Sequence, residues 1–474
     1  MLPVRHLITV GLLAGSATAF GQEPINIERA IDCALKQNKS LHVLELSLQS
    51  SLLGVDVAKT EFSPSLVPNG TAGSTDSGKS LAYGFTASKK TVMGTSASVS
   101  GQISDQDMPG DTELHQGTIT VELTQPLLRN LGPLVNREPV TKAESQVAAA
   151  RRQVELKKTD LVVQVVETYE ELLRLQRQLQ SDEKALQRLD KLVLLTEARS
   201  RQGRASRVDV LRVEQQRGDA QLRVNESRTS IKSRGADFAD LLGFPPERSF
   251  TVEPCPQLTV DVSNPDAACA SALENRLDYA QVLQDHRDAE RGVKIARRNL
   301  LPDLNMITRY QRIGEGPNAS DATSFSDSTW FVGLSIESDL NRTKDYLALD
   351  QSKVSAATVK ETVDIVEAGI RRQVGQDIAA YERTRADVLL AERNYHLAES
   401  RATLARRMFE LGRGDNFSVT DAEDALLKAQ IQWLQSQADV SVAAYHLLRT
   451  MGTLLECPGD LKPSALKSPD SSRS

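Results

Sequence analysis

At 474 residues the chain is long enough for two or three globular domains. Only 4% of it is aromatic, which argues against a catalytic α/β core of that size and favours long polar helices with narrow apolar seams. A net charge of −6, with no basic block, leaves no footprint for nucleic acid.

Residues 1–19 read as a secretory signal peptide. Arg5 and His6 give the basic start, Leu7 to Ala14 the apolar stretch, and Ala17-Thr18-Ala19 a small-residue cleavage site before Phe20. The apolar stretch is too short for a bilayer-spanning helix of ~20 residues. Cleavage removes one basic residue and no acids, taking the charge from −6 to −7. No later run reaches ~18 consecutive apolar residues, so the exported chain is expected in the periplasm, outside the cell, or in the outer membrane as a β-barrel.

Residues 20–243 form a first structural repeat: a helix, a strand pair at about 67–124, a long helix at about 139–202, a turn at 203–209 and a returning helix at 209–243. Proline is absent between Pro139 and Pro245, and glycine is absent from Val140 to Gln202. Those 63 glycine-free residues make one helix of ~95 Å at ~1.5 Å per residue. Leu161, Val165, Thr168, Leu172, Leu175, Leu179, Asp182, Leu186, Leu189 and Val193 step alternately by four and three, the spacing of a coiled-coil seam. The preceding Gly/Ser/Thr-rich stretch alternates in Thr118 to Leu123, placing Ile119, Val121 and Leu123 on one strand face.

A Pro-rich connector at 244–270 carries Cys255 and Cys269, the best candidates for a disulfide among four cysteines that allow three full pairings. The second repeat, 271–456, follows the same plan: a helix, a strand pair at about 305–340, a long helix at about 343–411, a turn at 412–420 and a returning helix at 421–452. Trp330, Val332, Leu334 and Ile336 share a strand face, and Tyr83, Phe85, Tyr310, Trp330 and Phe331 are expected to form an interfacial aromatic girdle. A polar tail at 457–474 is expected to be partly disordered. Phe62-Ser-Pro64-Ser-Leu66 corresponds to Leu300-Leu-Pro302-Asp-Leu304. A step of 209 residues carries Gly203 onto Gly412 and Leu242-Gly243 onto Met451-Gly452. The chain is therefore a tandem duplication with a period far too long for a solenoid.

Four segments resemble the TolC family of outer-membrane efflux and secretion channels: Ile25 to Leu41 (INIERAIDCALKQNKSL), Leu123 to Gly132 (LTQPLLRNLG), Asn299 to Leu304 (NLLPDL) and Trp330 to Asp345 (WFVGLSIESDLNRTKD). The resemblance covers about residues 25–456, in order and twice over. It implies a mainly α fold with a small antiparallel β part. Each protomer of a homotrimer would give four strands to a twelve-stranded outer-membrane β-barrel and its long helices to a coiled-coil α-barrel in the periplasm. It also implies a passive exit duct for tripartite efflux or type I secretion, driven by an inner-membrane RND or ABC-type pump through a periplasmic adaptor. Two departures are visible: Asp339 stands where the family often has proline, and the strand inserts are poor in bulky residues.

The functional residues are expected at the two turns. Gly203 and Gly412 fit left-handed helix-ending positions. Asp209 and Asp421, expected in the first turns of the returning helices, match by resemblance acidic places near the constricted entrance, where threefold symmetry would make rings of like charge. Ordinary helix capping accounts for them equally well. Ser418 and Gly414 replace a pore aspartate and a gating arginine of some members. Gly203, Arg204, Arg207, Gly412, Arg413 and Asp415 would form the periplasmic tip that contacts the adaptor. No HExxH, GxSxG or Walker motif is present, so no enzyme, cofactor or metal site is expected. The competing reading is a periplasmic or surface coiled-coil scaffold without a pore.

Overall fold

A computed structural model describes residues 23–75, 78–108, 112–254, 256 and 258–467. The expected signal peptide lies outside them. In chain order the elements are β1 (Glu23–Ile25), α1 (Ile27–Gln37), α2 (Lys39–Thr60), β2 (Ser65–Thr75), β3 (Gly78–Lys90), β4 (Ser96–Met108), β5 (Thr112–Pro126), α3 (Pro133–Asn136), α4 (Glu138–Arg201) and α5 (Arg207–Leu241). The second repeat continues with β6 (Phe250–Val252), α6 (Pro265–Asn275), α7 (Leu277–Asn299), β7 (Asp303–Gly316), α8 (Ala319–Ala322), β8 (Asp327–Glu337), α9 (Thr343–Glu410) and α10 (Asn416–Thr450). A short 3-10 turn (Gly459–Leu461) and α11 (Pro463–Lys467) close it.

The duplication is plain in the elements. α1 and α6 each have 11 residues, α5 and α10 each 35, and the long helices α4 and α9 have 64 and 68. Asn26 and Asn264 cap α1 and α6 with the same side-chain acceptor. Two compact units cut across this repeat. One comprises residues through Lys39, Asp160–Asp261 and Ile378–Leu447; the other comprises Ser40–Thr159, Val262–Asp377 and the residues from Leu448 onward.

In the first unit, β1 pairs in parallel with β6. The Tyr169 hydroxyl sits 2.7 Å from the Glu253 carbonyl and 3.0 Å from that of Ile25, so one buried side chain ties both strands to α4. Phe238 packs edge-on against Tyr169 and Phe250, with ring centroids 6.1 and 5.6 Å apart. The α4 seam is buried or half-buried throughout. Near this strand pair the single narrow stripe gives way to broad burial, because Val162, Val163 and Val166 are covered together with Leu161 and Val165. The polar interruption at Asp182 is buried and accepts from the Ser227 hydroxyl at 2.8 Å. Gly243 follows α5 at φ +82, where a Cβ would lie 2.5 Å from the Gln37 carbonyl oxygen, so this close approach to α1 needs glycine.

The second unit holds a six-stranded antiparallel sheet in the order β2-β3-β4-β5-β7-β8. The first insert thus supplies four strands where a pair was expected, and the described residues bring six strands to this sheet rather than the four implied by resemblance. Ladder partners share a face. Pro68, Phe85, Gly101 and Ile119 lie in one row, and Val99, Val121, Tyr310 and Trp330 in the next. Leu81, Tyr83, Ile103, Leu123, Val332, Leu334 and Ile336 belong to this same apolar face. The other face carries Asn69, Ser98, Ser100, Gln102, Thr118 and Thr120. Tyr83, Phe85, Tyr310 and Trp330 all lie on the apolar face. Phe331 does not: its partner is Arg309, on the polar face, which removes it from the expected girdle.

Within the tail, the 3-10 turn and α11 run to Lys467. Leu461 is buried and its carbonyl accepts from Arg152 at 3.3 Å. Residues 468–474 lie outside the described set. So does Cys255, while Cys269, its expected disulfide partner, carries a free, half-buried thiol. No described helix is long and apolar enough to cross a membrane.

Candidate functional site

Both helix reversals lie in the first unit and are built alike. Gly203 and Gly412 have φ +72 and +74. Each donates to a carbonyl three residues back, Ser200 or Phe409, at 2.9 Å. The next residue closes the wider loop: Arg204 to the Arg199 carbonyl at 2.8 Å, and Arg413 to that of Met408 at 2.9 Å. These paired bonds satisfy the last carbonyls of α4 and α9 and require a left-handed residue at the glycine.

The returning helices exchange the capping chemistry. Ser206 is the N-cap of α5: its hydroxyl accepts from the Asp209 N–H at 3.1 Å, and the Asp209 carboxylate accepts from the Ser206 N–H at 3.0 Å. At α10 the acid comes first, and Asp415 accepts from the Ser418 N–H at 3.0 Å. α10 therefore begins at Asn416, five residues before the expected start, and Asp421 falls in its second turn rather than its first. The Ser206 hydroxyl and N–H hold the Asp209 carboxyl below the usual carboxylate range, with Arg212 contributing. The Ser418 hydroxyl and N–H do the same for Asp415. Asp421, half-exposed, pairs with Arg401 of α9.

Three contacts not foreseen from sequence hold the turns. The Arg199 guanidinium donates to the Phe409 carbonyl and lies 4.0 Å over the Phe409 ring, joining the ends of α4 and α9. The Asn416 amide donates to the Asp209 carbonyl at 3.2 Å, joining the starts of α5 and α10. Glu423 of α10, nearly buried, receives Arg188 of α4 at 2.8 Å and Arg406 of α9 at 3.2 Å. Arg199 in the last turn of α4 was the one readable signal, since a basic residue there suits terminal carbonyls. Arg204, Arg207 and Arg413, expected at the tip, are exposed and form no ion pair among the described residues. The site offers charges on a hydrogen-bonded double turn. No group of three or more His, Cys, Asp or Glu suited to a metal occurs among the described residues.

A sequence model of the family described as outer membrane efflux protein matches residues 30–243 and 268–453. The unmatched gap between these segments falls within the connector. Outer membrane efflux protein BepC of Brucella suis biovar 1 (strain 1330) is 24% identical over 343 residues, covering 71% of this chain and 72% of that protein. Among solved structures, the outer membrane protein VceC from Vibrio cholerae shares 18% identity at a TM-score of 0.71, over 90% of this chain and 96% of that one. The outer-membrane channel OprN shares 16% identity at a TM-score of 0.71, over 90% of each chain. These likenesses give the fold.

Proposed function

We propose, from the premise that the chain belongs to the outer membrane efflux protein family, that three copies assemble into a passive exit duct fed by an inner-membrane pump through a periplasmic adaptor. The protein is an outer-membrane component with a periplasmic extension, of a family of channels rather than enzymes. The observation that carries the reading is the open sheet: it has one apolar and one small-polar face, and its edges β2 and β8 have no partner strand among the described residues. In lipid, each unpaired backbone group costs several kcal/mol, so such a sheet persists there only when other copies close it. The same need shows in the helices. Leu390, Leu397 and Leu404 repeat every seven residues along α9 and are exposed, as are Val43, Leu46, Leu53 and Val57 on α2.

Within the trimer, Asp209 and Asp421 would recur as threefold acidic rings at the constriction. Arg212, 3.8 Å from Asp209, and Arg401 beside Asp421 temper their field, so the resulting cation preference is modest. Gly203, Arg204, Arg207, Gly412, Arg413 and Asp415 would present the surface that an adaptor grips. Efflux of small compounds suits the family description better than protein secretion, and the pump supplies all the energy. Native mass spectrometry of outer-membrane extracts is expected to give a trimer, and planar bilayers a cation-preferring conductance that falls towards neutrality in Asp209→Ala and Asp421→Ala. Unchanged selectivity in both variants removes the acidic rings; a water-soluble monomer removes the duct.

A further inference from the structure

The two strands beyond the expected four, β3 and β4, are an integral part of the sheet. β3 is in register with β2 from Ser65↔Ser88 to Thr75↔Gly78, and with β4 from Ser80↔Gln106 to Lys90↔Ser96. The sidedness continues through both strands: Tyr83, Phe85, Val99 and Ile103 share the face of Ile119, Val121 and Trp330, while Ser98, Ser100 and Gln102 share the face of Thr118 and Thr120. A hairpin lying free in water would gain nothing from an apolar side matched row by row to its neighbours. Close packing adds to this. The Phe85 ring covers Gly101, where a Cβ would come within 2.9 Å of the ring.

The β3–β4 turn is also fixed to the rest of the unit. Thr91 donates to Thr95 at 2.8 Å, and the Gly132 N–H reaches the Met93 carbonyl at 3.0 Å. Gly94 has φ +93 and fits against the Asn130 carbonyl, which a Cβ would approach to 2.6 Å. The edges suit each other as well. Six alternating strands leave β2 and β8 running in opposite directions, and each is 11 residues long, enough to cross the lipid core at the usual tilt.

We propose that β2 of one copy pairs antiparallel with β8 of the next, so that three copies close an eighteen-stranded wall rather than a twelve-stranded one. The inference rests on the three-copy reading above. At ~4.8 Å between strands and a tilt of ~40°, the backbone cylinder widens from ~24 Å to ~36 Å across. The wall gained on the inner side is lined mainly by serine, threonine and glutamine, uncharged groups that hold water without selecting ions.

The test uses the full chain with Cys33, Cys255, Cys269 and Cys457 replaced by alanine. Val67→Cys, Asn69→Cys or Thr71→Cys on β2 is combined in turn with Thr329→Cys, Phe331→Cys or Ser335→Cys on β8. Oxidation of at least one combination is expected to give a covalent ladder ending at the trimer. The register partners Ala82→Cys and Ser104→Cys should bridge only within a monomer. Absence of the β2–β8 ladder in a protein that still forms a conducting trimer overturns the proposal, as does a ladder obtained instead from Ser98→Cys or Ser100→Cys with the same β8 cysteines, which means a twelve-stranded wall. Loss of both trimer and conductance in the unsubstituted chain defeats the duct itself. A second variant deletes residues 78–108. The residues left between Thr75 and Thr112 then let Leu66 face Val121 and Pro68 face Ile119, preserving the sidedness. Its barrel is expected to be about one third narrower in averaged electron micrographs; an unchanged diameter also counts against the proposal.

Discussion

The two halves of the chain agree at their helix reversals and differ at their sheet inserts. At the reversals the backbone repeats almost bond for bond, while the capping residues trade places: Ser206 and Asp209 in the first half, Asp415 and Ser418 in the second. At the inserts the first half has four strands and the second has two. The reversals must meet the stereochemical demands of a helix end, which leave few solutions. The inserts must only present one apolar face and an even number of strands, a demand that any added hairpin meets.

Glycine substitutions give the largest test of the agreement. Gly243→Ala combines a left-handed backbone with a Cβ 2.5 Å from the Gln37 carbonyl, and is expected to cost about 2–4 kcal/mol. Gly452→Ala, whose nearest neighbour atom is 2.9 Å away, should cost somewhat less. Denaturant midpoints of the detergent-solubilised protein measure both, and equal, near-zero losses would show that the matched glycines are not needed.

Next in size is a place where the halves differ at corresponding positions. Glu423 is nearly buried between Arg188 and Arg406, whereas Glu214, its counterpart 209 residues earlier, is exposed. With the partial exposure of both arginines discounted, Glu423→Ala should cost about 2 kcal/mol and Glu214→Ala less than ~0.5 kcal/mol. Comparable losses would mean that the second-half network adds nothing.

Smaller still are the turns themselves. Gly203→Ala and Gly412→Ala meet open space, so only the positive φ opposes them, at about 1 kcal/mol each. Ser206→Ala removes the N-cap of α5 at a similar cost. Equal thermal shifts from the two glycine variants sharpen the claim that the reversals are one structure used twice; unequal shifts break it.

The pH response is the smallest effect. Asp209 and Asp415 both have folded pKa values below the unfolded value of about 3.9, so their contribution is full above that value and is lost as pH falls through the lower folded value. Thermal midpoints followed from about pH 6 to about pH 2 should fall less steeply in Asp415→Asn than in the parent protein.

The long helices were legible because proline and glycine stop where helices stop. The expected 139–202 and 343–411 compare with Glu138–Arg201 and Thr343–Glu410. The start of α10 was missed because Asp415 sits between a glycine and an asparagine and reads as loop, although aspartate is itself a preferred N-cap residue. The extra strands were missed for a different reason. Leu81, Tyr83 and Phe85 alternate, but their partners across the sheet include Ala72, Gly70 and Gly101, too small to register as apolar positions. Phe85 lying over Gly101 shows why small residues suffice: one large ring covers two strands. The exchange of Ser and Asp between caps could be seen in the letters but not weighed, since only the bonds reveal that both arrangements satisfy the N–H three residues after the cap.

The hairpin of β3 and β4 leaves and rejoins the chain between strands that keep their directions, so the helices before β2 and after β5 need not move to accommodate it. Sheet width and helix framework can therefore be inherited separately. In the three-copy assembly proposed above, a single duplication or loss event in one gene would add or remove a strip of wall three times over, and closely related lineages could differ in aperture while keeping the same helix reversals.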